Sequence, residues 1–334
     1  MPLASIRAVK WVNVTAYIVR RLLQAIPLLF LISFITFMIV QATGDPLAAY
    51  TVDASLTSED IARLKQKYGL DQPVPIQNLN WLKNMVTGNW GTSYFTREPV
   101  VDMVLERLPN TLILVGISYT LILILGIVLG ILTAVRQYSL LDYAVTTLSF
   151  IGIATPSFWL GLMLIYAFAV RFKAMGLPHL PVSGMYDLEV GKTVPEVLRH
   201  AVMPAIALSV VVCARYIRYV RSEILDQLRL DYVNTARSKG LKERTILYGH
   251  VFKNVLLPLI TLIGLDLPNF LSGTIVIESV FTWPGVGRLF WSAAERTDIP
   301  VLMAIMLYVA AMTIVFNLIA DVLYAIVDPR ISYS

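Results

Sequence analysis

Six stretches of this sequence are long and apolar enough to cross a bilayer, and that constrains the chain more than any other feature. A spanning helix needs about 20 mostly apolar residues. Leu22–Val40 is the first, with Gln24 as its only strongly polar side chain. Thr111–Val135 and Tyr143–Val170 contain no charged residue. Ala201–Ala214 is shorter, but Val194–Leu225 can continue it as a helix at both ends. Val255–Phe281 is apolar apart from Asp266 and Glu278, and Ile299–Val327 apart from Asp321. Composition agrees: 57% of residues are apolar and mean hydropathy is +0.70. Only 15% are charged, against roughly 25% in soluble domains. A disordered chain is excluded and a soluble enzyme is disfavoured. The expectation is an all-α polytopic membrane protein with six transmembrane helices. Arg20 and Arg21 precede the first run, as in a signal peptide, but the run exceeds the roughly 7–15 residues of a signal core and reads as a retained anchor.

Basic residues set the orientation, because cytoplasmic loops are enriched in them. Arg7, Lys10, Arg20 and Arg21 precede span one, and Arg136 lies between spans two and three. Arg215, Arg218, Arg221, Arg229, Arg237, Lys239, Lys242, Arg244 and Lys253 fall between spans four and five. Six alternating spans put all of these on one side, so both termini are predicted to be cytoplasmic. The long loop Gln41–Asn110 is then outside. In it, Thr57 and Asp60 have capping-box-like spacing, which predicts a helix over Ser58–Tyr68 stopped by Gly69. Pro73 and Pro75 predict an extended stretch. Ile76–Thr87 reads as an amphipathic helix with Ile76, Leu79, Leu82 and Val86 on one face, ending at Gly88, and Pro99–Leu108 as a third helix.

Familiar catalytic patterns are missing. The single cysteine, Cys213, excludes an internal disulfide and a Cys-based metal site. His179, His200 and His250 match no ligand spacing, so no metal site is expected. There is no G-x-x-x-x-G-K-[ST] phosphate loop and no H-E-x-x-H. Ser183 and Ser272 precede glycines but lack the glycine two residues earlier of a membrane serine protease. Gly264-Leu265-Asp266 lacks the second glycine of an intramembrane aspartyl protease, and Tyr186–Asp187 falls in an outside loop. Asp266 still needs an explanation. A charge deep in an apolar span costs about 2.5–3.5 kcal/mol on insertion scales, so it must line water or find a partner. It reads either as a pore residue attracting a positive charge or as a packed, hydrogen-bonded carboxyl. Asn317 and Asp321, one turn apart on span six, are expected to face the interior.

The segment Asp231-Tyr232-Val233-Asn234-Thr235-Ala236-Arg237-Ser238-Lys239-Gly240 is the most informative. Asp231 can cap a helix and Gly240 can end it in the left-handed conformation. A two-turn helix between spans fits two readings equally on physical grounds. It is a rigid plug for a partner's groove, or an amphipathic connector on the membrane surface.

This segment resembles the cytoplasmic loop of permease subunits of binding-protein-dependent ABC importers. Their pattern is Glu-Ala-Ala, three residues, Gly, then a later Leu-Pro. Asn234-Thr235-Ala236 stands at the first element, Gly240 at the glycine and Leu257-Pro258 at the Leu-Pro; Ala236 and Gly240 alone match the first part strictly. The departures are typical of the oligopeptide/dipeptide/nickel branch. Further segments resemble the same branch, in the subunit with a long first outside loop. They are Gly44-Asp45-Pro46, Tyr68–Pro73, Gly88–Ser93, Thr155–Trp159, Glu278–Arg288, Asp321–Tyr324 and Asp328–Arg330.

The resemblance implies a type I permease fold in a bacterial or archaeal cytoplasmic (inner) membrane. It implies a pore-forming subunit that works by alternating access and performs no chemistry itself. The implied solute is a di- or oligopeptide, with nickel, glutathione and oligosaccharides as alternatives within the branch. The implied partners are a homologous second permease subunit, two ABC ATPases that bind ATP and Mg, and an extracytoplasmic solute-binding protein; no cofactor is implied in this chain. The implied organisation is 1–107 for the first span and outside loop, 108–327 for a permease core with coupling loop 222–253, and 328–334 for a short tail. Asn234, Thr235, Ala236, Arg237, Lys239 and Gly240 would couple to the ATPases. Asp266 is not required by the family pattern; its place on the solute path is the pore reading of a buried charge given above. The Gly- and Pro-rich, aromatic hairpin Thr282–Arg288 reads equally well in two ways: as an element that faces the binding protein or caps the cavity through Trp283, Pro284, Gly285 and Arg288, or as a plain tight turn before span six. Prolines at 156, 204, 258 and 268 would allow bent helices, and glycines at 126, 130, 152 and 161 close crossings. The rival classes are a secondary transporter, for which no repeat is apparent and Asp266 is the only candidate ion ligand, and a membrane-embedded enzyme, for which the sequence offers no nucleophile or metal constellation.

Overall fold

The structure, a computed structural model, describes residues 3–43, 59, 63, 66 and 71–327. The expected helix at Ser58–Tyr68 and the segments Gly44–Pro46 and Asp328–Arg330 lie outside or almost wholly outside these residues. The described chain is helical. In order it forms α1 (Leu3–Thr43), α2 (Val74–Val86), α3 (Val100–Val135), α4 (Leu140–Ala154), α5 (Ser157–Leu164), α6 (Val194–Leu228), α7 (Asp231–Ser238), α8 (Glu243–Ile246), α9 (Phe252–Val280), α10 (Val286–Glu295) and α11 (Ile299–Val327). Wider π-helical turns at Ile165–Arg171 and Leu247–Val251 extend α5 and lead into α9. Among the described residues, five helices are long and apolar enough to span a membrane, or six when the bent α8–α9 run is counted as one.

Prolines explain where the expected spans break and where they do not. Thr155 before Pro156 is extended (φ −90°, ψ 121°), so the third apolar run is two helices, α4 and α5. The run Glu243–Leu256 meets Pro258–Asp266 at 43°, where a π turn and a proline both disturb the hydrogen-bond ladder. Pro27, Pro109 and Pro204 sit inside continuous helices. Two expectations for the loop fail accordingly. Pro73 and Pro75 start α2 instead of forcing an extended stretch, because a first-turn proline gives up an N–H that has no helical partner anyway. Pro99–Leu108 is no separate helix but the beginning of α3, which runs on through Pro109.

The helices fall into two compact units. One is built from residues before Pro109 and from Leu289–Leu318. There α2 packs on α1, and the Asn78 amide donates to Ser33 Oγ at 2.8 Å. The expected apolar face of α2 is not the buried one: Ile76, Leu79 and Val86 are exposed, while Gln77 and Asn78 are buried. The Gly88–Ser93 stretch is pinned to the start of α11. Ser93 Oγ and the Tyr94 N–H both donate to buried Asp298. Arg296 lies over the Phe95 ring, 4.2 Å from its centre.

The other unit is built from Asn110–Arg288 with the end of the last helix. Here α6 is central, and α4, α5 and α9 all pack on it. Its 35 residues make roughly 50 Å of helix, well beyond the roughly 30 Å hydrocarbon core. Arg215, Arg218 and Arg221 are therefore residues of this helix and not of a loop. The crossing of α3 over α6 is tight. A Cβ on Gly126 would lie 2.7 Å from Tyr216 Cβ, and one on Gly130 2.7 Å from Val220 Cβ. Small residues let helix backbones approach in this way.

Candidate functional site

Three places in the second unit depart from plain apolar packing, and each is built from a segment singled out in the sequence. The first is α7. Leu230 occupies the N-cap position (φ −79°, ψ 150°) and makes no side-chain cap, so Asp231 is the first helical residue and not the cap. Its carboxylate still favours the positive end of the helix dipole. The C-terminus is as expected. Gly240 has φ +77°, its N–H bonds to the Arg237 carbonyl (2.9 Å) and the Leu241 N–H to the Ala236 carbonyl (3.3 Å). That pair of bonds is the Schellman closure. No atom comes within 4 Å of where a Cβ on Gly240 would be, so backbone conformation alone selects glycine.

Period and burial then divide α7 into two faces. Val233 and Ala236 are buried in this chain's own core, while Asn234, Thr235, Arg237, Ser238 and Lys239 are exposed. Arg237 donates to Glu243 through Nε (2.7 Å) and Nη2 (3.2 Å), which raises the Arg237 pKa and ties the helix end to α8. The helix is thus anchored by one face and presents another.

The second place is the hairpin after α9. Glu278 is fully buried, accepts from Thr111 Oγ1 (2.8 Å) and from the Arg288 N–H (3.0 Å), and takes further bonds from Gly287 and Thr274. Its carboxylate caps the start of α10 from outside that helix. Trp283 is fully buried and donates from Nε1 to the Asn110 carbonyl at 2.9 Å; Asn110 Nδ2 donates to the Pro284 carbonyl at 2.8 Å. A Cβ on Gly285 would overlap the Glu278 carboxylate, and one on Gly287 would lie 2.7 Å from Ile275 Cα. The expected partner-facing surface is therefore largely interior. Trp283 and Gly285 are buried, and Pro284 and Arg288 are only partly exposed. Aromatic and glycine content signals packing here as readily as docking, because the motif folds around its own glutamate.

The third place is a polar belt across α3, α6 and α9. Asp266 is buried, and Arg215 Nη1 lies 3.3 Å from its Oδ1. Tyr119 and Tyr216 join hydroxyls at 2.7 Å, and Tyr119 also donates to the Ile263 carbonyl at 3.2 Å. The Tyr119 ring meets Phe270 edge-on at 5.6 Å. Ile263, Asp266 and Phe270 share one face of α9 by helical spacing, so the belt converges beside Asp266. Sequence reasoning found Asp266 and missed the rest. The tyrosines resemble ordinary apolar filler, and Arg215 resembles the first residue of a basic loop until α6 is seen to run through it. Asn317 and Asp321 are each half-buried on α11.

Helices that expose long apolar faces and, within the second unit, enclose a polar belt define a multi-pass membrane protein. Comparison with known proteins narrows this. Residues 126–333 match the family described as binding-protein-dependent transport system inner membrane component, and residues 14–115 match the N-terminal component of such systems. The oligopeptide transport system permease protein AppB of Bacillus subtilis is 44% identical over 95% of this chain and 99% of its own. A putative peptide permease protein of Brucella suis is 38% identical over the same shares. The dipeptide transport system permease protein DppB of Alkalihalophilus pseudofirmus is 34% identical, again over 95% and 99%. This chain belongs to the family of inner membrane components of binding-protein-dependent transport systems. It is a multi-pass inner membrane permease subunit.

Proposed function

We propose that this chain forms half of the pore of an ATP-driven importer for di- or oligopeptides. A second, homologous permease supplies the other half. Two ATPases, which bind ATP and Mg, drive it, and an extracytoplasmic binding protein delivers the peptide. The chain itself performs no chemistry. The observation that carries the solute class is near full-length similarity to permeases named for oligopeptide and dipeptide transport. The coupling role rests on α7, whose exposed Asn234, Thr235, Arg237 and Lys239 meet the ATPases while Val233 and Ala236 hold the helix to the bundle. Gly240 fixes the angle at which it is held. Asp266 lies on the solute path. At the hairpin, Pro284 and Arg288 are the residues a binding protein could reach, and Trp283 and Gly285 support them from within.

The test is reconstitution of the whole importer in proteoliposomes. Labelled dialanine should accumulate when ATP, both ATPases and the binding protein are present, and omission of any of them should abolish accumulation. Uptake that persists without the ATPases and collapses with the proton gradient would make the chain a secondary transporter instead.

A further inference from the structure

Two arginine–aspartate pairs are carried by α6, and only one is finished. Arg221 grips Asp142 with Nε and Nη2, both at 2.9 Å, and the Tyr138 N–H donates to the same carboxylate at 3.0 Å. That is the two-pronged geometry of a structural pair. Arg215 touches Asp266 with one nitrogen at 3.3 Å, longer than the roughly 2.7–2.9 Å of a good charged bond. Asp266 is 8% exposed, yet its Oδ2 has no hydrogen-bond partner among the described residues. The Arg215 side chain is 50% exposed. A buried acceptor and a half-free guanidinium are thus left with unused capacity in an apolar span, where such groups mark solute pathways.

We propose that Arg215 and Asp266 form a receptor for the two ends of a short zwitterionic peptide. Asp266 takes the terminal ammonium and Arg215 the terminal carboxylate, so the empty site neutralises itself and the peptide replaces both partners at once. Opening the pair for one charge alone would strand the other in a poorly solvated place. A guanidinium fork suits a carboxylate and its long side chain lets it swing away. The Tyr119–Tyr216 hydroxyl pair, held to the Ile263 carbonyl, stiffens the face of α9 from which Asp266 projects. An extended dipeptide is roughly 7 Å long, and a charged hydrogen bond of about 2.8 Å at each end makes the required gap roughly 12–13 Å, which a rotamer change of the long, half-exposed Arg215 side chain has to open. Each further residue adds roughly 3.5 Å, so longer peptides engage one end only. This rests on the peptide-importer reading above and sharpens its solute to short peptides with free termini.

Direct binding tests it apart from delivery. The complete importer is placed in nanodiscs without the binding protein, with and without ATP, and tritiated dialanine binding is measured. The wild type should bind dialanine in one of the two states. N-acetyl-dialanine amide should fail to compete, and tetraalanine should compete at least fivefold less well. Asp266→Asn and Arg215→Gln should each weaken binding at least tenfold, with Asp266→Glu and Arg215→Lys in between. A wild type that binds no dialanine in either state, or binds it no better than the blocked peptide, overturns the proposal; so do variants that bind as wild type does. If the same complex still accumulates dialanine when the binding protein is added, only the receptor falls. If it accumulates no peptide at all, the importer reading falls too.

Discussion

The segments before and after α9 carry glycine-marked motifs that look alike as sequence and differ in kind as structure. On one side, Gly240 closes α7 with a positive φ and open space around it. On the other, Gly285 and Gly287 have no room for a Cβ because Glu278 and the Ile275 backbone fill it. The first glycine is there for backbone freedom and leaves an exposed face. The second two are there for space and close a buried knot. A segment that must meet a partner is held by one face and shaped by its backbone. A segment that holds the bundle together spends its side chains on itself.

The largest effects that could break this contrast lie in the knot. Trp283→Ala removes a fully buried aromatic and should cost about 3–5 kcal/mol, seen as a lower melting temperature of the purified complex and reduced membrane yield. A change within about 0.5 kcal/mol would contradict the reading of Trp283 as a packing anchor. Glu278→Ala strands Thr111 Oγ1 and the Arg288 N–H, with an expected loss of about 1–3 kcal/mol. Gly240→Val should cost about 1–2 kcal/mol through the left-handed backbone, leave membrane insertion intact and uncouple ATP hydrolysis from uptake. Gly240→Asn should retain more coupling than Val, since Asn tolerates that conformation. The smallest effect on stability is expected at Thr235→Ala, within about 0.5 kcal/mol, with a measurable drop in peptide-stimulated ATPase.

Much of the fold was legible because apolar run length and helix punctuation are local. Val194–Leu225 and Ile299–Val327 were readable as spans from composition, and Gly240 as a helix stop. What escaped depends on partners far along the chain. Nothing near Trp283 in sequence says that its indole will meet the carbonyl of Asn110. The burial of Asn78 on α2 depends on where Ser33 sits, 45 residues away in sequence. Arg215 was legible as a charge but not as the partner of Asp266, since the end of an apolar run does not fix the end of a helix. The apolar run ends at Ala214 and the helix at Leu228, several turns further on.

Thiol crosslinking from α7 tests the coupling assignment most directly. Cys213 is the only cysteine of this chain and is buried, so a thiol introduced on α7 is this chain's one accessible thiol. In the complete importer, Thr235→Cys should crosslink to the ATPase subunits in high yield, with a yield that changes when ATP is added. Ala236→Cys, on the face packed against the bundle, should crosslink several-fold less. Equal yields from the two positions, or no crosslink from Thr235→Cys in a complex that still imports peptide, would contradict the assignment of α7 as the coupling helix.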